Sequence, residues 1–258
     1  MNKHNFFVGL FAMALCFLVS CTKNEVVEPA SQAVGSFTLE MEYVWGEMGQ
    51  TQPFALNQTL VHPSTQDSLT FNTFKHYLSA VVLQNTDGSE YIVPNSFYLL
   101  DLSNPSSLKI TLEDVPAGDY QSIHMVFGVD SLHNVSGAQE GALDPANGMF
   151  WSWNSGYIML KAEGQSPNAE DGSFAFHLGG FKGENKVVEE KHLSFRNGEL
   201  LSITPIANPT VHLMLNPAQL FANQGSLSNG SRVHMPGAKA KQMASPFNDW
   251  AHVDHIHP

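Results

Sequence analysis

Between Ser36 and Trp45 the chain alternates: Phe37, Leu39, Met41, Tyr43 and Trp45 are apolar and their neighbours mostly polar. A period of two puts these five side chains on one face of a half-buried strand. Residues 69–84 form a second β-leaning run, and Asp87 with Gly88 predicts a hairpin turn into residues 91–93. Short strands are expected at 97–102 and 108–112, and another follows the turn at 115–120. There Ile123, Met125, Phe127 and Val129 are expected on one face, with Tyr120, Ser122, His124 and Val126 on the other. Later strands are expected at 156–163, 173–178, 187–195, 200–205 and 211–215. Residues 217–223 and 245–251 each read as a helical turn, and the Ser/Gly/Asn-rich stretch 225–242 as a mobile loop. No sustained helical period and no fixed repeat appears. Many short strands separated by Gly, Pro and Asn predict an all-β fold, an antiparallel β-sandwich of one domain with long loops, over residues 35–258.

The start of the chain reads differently. Lys3 precedes an apolar run from Phe6 to Leu18, and Leu18-Val-Ser-Cys21 follows. This is the pattern of a secretory signal over residues 1–20, too short and wrongly flanked for a spanning helix. Leu18 to Cys21 read as a lipobox, so Cys21 is expected to carry the lipid that anchors the protein to the membrane. Residues 21–34 then form a polar tether, and the expected location is the bacterial cell envelope, as an outer-membrane lipoprotein. The chain's two cysteines are Cys16 and Cys21. One leaves with the signal and the other is lipidated, which excludes thiolate metal sites, iron–sulfur clusters and a cysteine nucleophile. With 12 Lys and Arg against 24 Asp and Glu, the net charge is −12. No basic cluster is available for a phosphate backbone, so nucleic acid is excluded as a partner.

Three segments concentrate unusual side chains. The stretch Asn147-Gly-Met-Phe-Trp-Ser-Trp-Asn-Ser-Gly-Tyr157 holds Trp151 and Trp153, two of the chain's four tryptophans. They either plug the core or stand on a glycine-bounded loop. In Asp171-Gly-Ser-Phe-Ala-Phe-His-Leu-Gly-Gly-Phe181, strand alternation puts His177 opposite Phe174, Phe176 and Leu178, just before two glycines that permit a close approach. His133 lies in a loop at a strand end, where sites are commonly built. In the tail, His255 and His257 flank Ile256 and so share one face, either as a weaker chelating pair or as a solvent-facing edge. Without thiolates, the metals that suit such a set are copper, zinc and nickel. Met149 and Met159 are more simply core residues than soft copper donors. Catalytic templates are missing: there is no Gly-x-Ser-x-Gly, His-Glu-x-x-His or phosphate-binding loop. Glu189 with Glu190, or Asp130 with Asp144, makes a glycosidase pair only at a separation that sequence does not supply. No enzymatic activity is expected.

Gly128-Val-Asp, then Gly141-Ala-Leu-Asp-Pro-Ala-Asn-Gly-Met-Phe-Trp-Ser-Trp-Asn-Ser-Gly-Tyr157, then Phe176-His-Leu-Gly179 resemble the MbnP-like copper-binding proteins in residue and in order. The resemblance spans roughly residues 36–215. It implies a protein that binds copper, as Cu(I) or Cu(II), after a partner diheme enzyme similar to cytochrome c peroxidase oxidises a tryptophan to kynurenine. Tryptophan donates a hydrogen bond but has no free lone pair for a metal, whereas opening its ring frees an aryl amine. Carried over by position, Trp151 or Trp153 is the modified residue, His177 matches the Phe-His-Leu-Gly histidine, and His133 falls near a histidine after Gly-Val. The chain departs from the pattern at Ile158-Met159 and at Gly180-Phe181. Two other readings compete with copper: a lipoprotein that stacks glycans on Trp151 and Trp153, and a purely structural surface protein with both tryptophans buried.

Overall fold

The alternating run near the N-terminus becomes β1 (Val34–Glu47), and Phe37, Leu39, Met41, Tyr43 and Trp45 all point into the core. The structure, a computed structural model, describes residues 32–258 apart from Ala138, Trp153 and the side chains of Phe247 and Asn248. The signal, Cys21 and the tether as far as residue 31 lie outside the described residues.

After β1 come β2 (Gln50–Pro53), β3 (Thr59–Val61), β4 (Ser68–Asn85), β5 (Glu90–Ile92) and β6 (Phe97–Asp101). The chain continues through β7 (Lys109–Pro116), β8 (Gly118–Phe127), the helix α1 (Ser131–Val135), β9 (Phe150–Ser152), β10 (Gly156–Gln165) and β11 (Ser173–Gly179). Then follow β12 (Glu189–Ser194), β13 (Leu201–Ile203), β14 (Thr210–Leu215), α2 (Ala218–Ala222), β15 (Arg232–Val233), α3 (Ala238–Ala244) and β16 (Ala251–His257).

Among the described residues one sheet runs β16-β14-β1-β2, with β7 also on β1. The other runs β12-β8-β4-β10-β11-β15 and carries β13, β3, β5, β6 and β9 at its sides. The architecture is mostly β, sandwich-like and a single domain. Side chains of β1 meet those of β4 between the sheets: Tyr43 packs edge-on against Phe74, and Trp45 against Phe71. Burying aromatics of this size contributes about 1.5–3 kcal/mol each. Their polar atoms are satisfied in place. Trp45 Nε1 donates to the Val61 carbonyl at 2.8 Å, and Tyr43 Oη lies 2.6 Å from His76 Nε2.

Five expectations change. The sandwich is antiparallel except where β1 pairs with β14 and β11 with β15, both parallel. Tyr120 is buried rather than sharing the face of His124, because an extra residue bulges between its pairing with Asn85 and that of Ser122 with Gln84. The tryptophan loop contains the short strand β9, paired with β10 as a hairpin. Residues 225–242 are built rather than mobile: β15 joins the sheet, α3 covers it, and Leu227, Val233 and Ala240 are buried. The buried Asp67 carboxylate pins this segment, accepting from Leu227 N at 2.7 Å and Ser226 Oγ at 3.0 Å. Finally, the helical turn expected at 245–251 ends early. Ser245–Asn248 form a 3-10 turn, and Ala251 already begins β16.

Candidate functional site

The β10–β11 hairpin carries the best candidate. On β11, Phe174, Phe176 and Leu178 face the core, so His177 and Gly179 share the outer face. A Cβ built on Gly179 would overlap Trp151 Cζ3 and stand 2.8 Å from both Trp151 Cη2 and the Tyr157 carbonyl oxygen. The indole therefore lies across the position where a side chain at 179 would project. The ring covers β11 at Gly179, two residues along the strand from His177 and on the same face. Trp151 itself is half-buried and packs partly on the core, so it neither plugs the sandwich nor stands free.

His177 is held from both sides. Its Nε2 lies 2.7 Å from Glu163 Oε1, and Lys161 Nζ is 3.7 Å from the same oxygen. A carboxylate only accepts, so Nε2 carries the proton, and in the neutral ring Nδ1 keeps its lone pair. Burial pushes the imidazole below its ordinary pKa. The hydrogen bond and charge of Glu163 oppose that, while Lys161 and His234 add to it. For Glu163 burial works upward, but the bond from His177 and the charge of Lys161 hold the carboxyl below its usual range. A histidine that ligates a metal commonly gives its second nitrogen to a carboxylate in this way.

The free nitrogen of His177 points at another histidine. His234 Nδ1 is 3.5 Å from His177 Nδ1, with ring centroids 4.9 Å apart. The pairing of β15 with β11 delivers it, Arg232 opposite Ala175 and Val233 opposite Phe176, while Arg232 bonds Asp171 and Ser173. His234 was not among the sequence candidates. The only hint is the inward Val233 between two polar residues, too short a pattern to read as a strand. A cleft of about 170 Å³ at the turn of the tryptophan hairpin is lined by Asn154, Ser155, Gly180, Phe181, Asn185 and Pro236.

The other candidates lie apart. His133 lies in α1 rather than in a loop and is held by the helix's N-cap, Asp130: its Nδ1 is 2.7 Å from Asp130 Oδ2, and its ring sits 4.2 Å from Phe97. Its neighbour Asn134, not His133, reaches the tryptophan hairpin, accepting from Tyr157 N at 2.8 Å. His255 stacks on His212 in the other sheet, and His257 is exposed at the end of β16. Trp153 is outside the described residues. Met149 and Met159 are core residues. Glu189 pairs with Lys241, and Asp130 and Asp144 cap the turns that follow them.

The residues present fit a copper or other late transition-metal ion. Two imidazole nitrogens 3.5 Å apart can both reach one ion at about 2.0–2.1 Å, one of them already backed by a carboxylate. Among the described residues no group of three or more His, Cys, Asp or Glu side chains is gathered to hold a metal. The pair would supply two ligands to such an ion, and a further group would have to complete the site. Nor is any described helix long and apolar enough to cross a membrane.

A search of the curated proteins finds no match. Among solved structures, MbnP from Methylosinus trichosporium is similar, with 15% identity and a TM-score of 0.47 over 73% of this chain and 78% of that one. The family model for MbnP matches residues 34–236, spanning β1, the tryptophan hairpin, His177 and His234. The chain belongs to the MbnP family, and membership associates it with methanobactin operons and copper.

Proposed function

We propose that this protein is a lipid-anchored envelope protein that binds copper, and that His177, His234 and an oxidised Trp151 hold one ion. Support comes from one arrangement: two imidazole nitrogens 3.5 Å apart on the face where the Trp151 ring crosses Gly179. The unmodified indole cannot ligate, because its nitrogen is a donor only. Cleaving the C2–C3 bond of the ring, with two oxygen atoms added as two peroxides are reduced to water, gives N-formylkynurenine. Hydrolysis then releases formate and leaves kynurenine, whose aryl amine has a lone pair for the metal. A diheme, cytochrome c peroxidase-like partner catalyses this oxidation by peroxide, at a half-buried ring on a hairpin. Cys21 provides the anchor, and the protein turns over no substrate of its own. Trp153 is the alternative target of the same chemistry.

The test is a copper titration of protein produced with and without such a partner, with peptide mass spectrometry to locate added oxygen. Modification at Trp151 should accompany tight binding. His177→Ala and His234→Ala should each weaken that binding more than ~10-fold, or about 1.4 kcal/mol. Copper affinity unchanged in both variants removes the pair from the site, and an unmodified Trp151 in partner-treated, copper-binding protein removes the tryptophan.

A further inference from the structure

The tail histidines are the part of the sequence that this site does not use. On β14 and β16, His212 and His255 are directly opposed in register. Their rings stack at 4.2 Å between centroids and 11° between planes. Each is oriented by its own carboxylate: His212 Nδ1 is 3.0 Å from Glu42 Oε1, and His255 Nδ1 is 2.9 Å from Asp254 Oδ2. Neither acid can donate, so both Nδ1 atoms carry protons and both Nε2 atoms keep lone pairs when the rings are neutral. The device that orients His177 is therefore repeated twice in one cross-strand pair. The pair lies on the outer face of the smaller sheet, and the His255 side chain is 48% exposed.

The geometry points to a second metal site, at which His212 and His255 chelate a late first-row divalent cation, Cu²⁺ in first place, through their Nε2 atoms. Imidazole sites favour Cu²⁺ over the other divalent ions of that series. Parallel rings converge on one ion by turning about χ2, a soft torsion for histidine, while the carboxylates keep the proton on Nδ1. Solvent fills the remaining positions, since among the described residues no third His, Cys, Asp or Glu is grouped with the pair to hold a metal. Binding is therefore weaker here than at a site with three protein ligands. Arg196 Nη1 also lies 3.5 Å from Asp254 Oδ1, the acid's other oxygen, and competes with a bound cation there. His252 and His257 lie on the same strand, and the whole chain carries a net charge of −12. This site is separate from the His177–His234 pair and stands whether or not that pair binds copper.

The experiment uses the full chain carrying His177→Ala and His234→Ala, which removes the first pair. Isothermal titration with Cu²⁺ should still show one ion bound, and pulsed electron paramagnetic resonance should show two coordinated imidazoles. Adding His212→Ala or His255→Ala should lower affinity at least tenfold and remove one imidazole from the spectrum. Asp254→Asn, which leaves both rings, should weaken binding less than either. No Cu²⁺ uptake in the first background overturns the assignment. So does binding lost on His257→Ala yet insensitive to changes at His212 and His255.

Discussion

Replacing Gly179 by alanine adds one methyl group to the outer face of β11, at the point where the Trp151 ring crosses the strand. The new carbon overlaps Trp151 Cζ3 and lies 2.8 Å from both Cη2 and the Tyr157 carbonyl oxygen. Carbon atoms pack at about 3.5–4.0 Å, so the ring must shift by roughly an ångström or the strand must move. The half-buried indole can yield to the methyl group, whereas the Tyr157 oxygen, held in the hairpin, keeps part of the strain whether or not the ring is present. Overpacking of this kind costs about 1–3 kcal/mol. In a domain of this size each kcal/mol lowers Tm by about 2–4 °C. Thermal and denaturant unfolding of Gly179→Ala, Trp151→Ala and the double variant form the assay. If the indole causes the clash, the penalty of the methyl group shrinks by at least ~0.5 kcal/mol once Trp151 is gone, a coupling typical of residues in contact. Copper affinity should fall in Gly179→Ala as well, because the ring leaves the face of His177. A methyl penalty of the same size with and without Trp151 would refute the placement of the ring.

The loop that delivers His234 should depend on Asp67. Asp67→Ala leaves the Leu227 amide and Ser226 hydroxyl without their acceptor, costing about 1–3 kcal/mol. Limited proteolysis should then cut within residues 225–242, and an intact segment would count against the pin. Acid should destabilise the fold through His76, whose pKa burial lowers to about 4 against an ordinary 6.5, with the weaker Tyr77 carbonyl contact opposing. The unfolded chain takes up this proton first, so stability is full above about pH 6.5 and falls as pH drops towards 4, by about 3 kcal/mol in all. His76→Gln keeps an acceptor for the Tyr43 hydroxyl. Denaturant midpoints measured across pH 4–7 should lose that part of the slope in the variant, and an unchanged slope would exclude His76 as its source.

Local pattern decided the longer strands and most of their inward faces, those of β1 and β11 among them. Alternation in 36–45 and 173–178 needs no partner to be read, because a strand's side chains change face at every residue. The tryptophan block and Phe176-His-Leu-Gly179 likewise carried the family resemblance, and His177 with it. Three things needed the tertiary structure. Tyr120 turned inward because one extra residue in β8, visible only against β4, reverses the alternation. His133, chosen for its place at a strand end, is claimed by Asp130, the N-cap of its own helix, and by Phe97, which only packing brings to it. His234 was hidden in a segment whose composition resembles a free loop. That segment is ordered by an acid at position 67 and a two-residue pairing with β11, which are long-range contacts with no local signature. Composition and spacing report what a residue can do chemically. Which imidazoles meet is set by strand register and by packing across the sandwich, and only the folded chain brings those together.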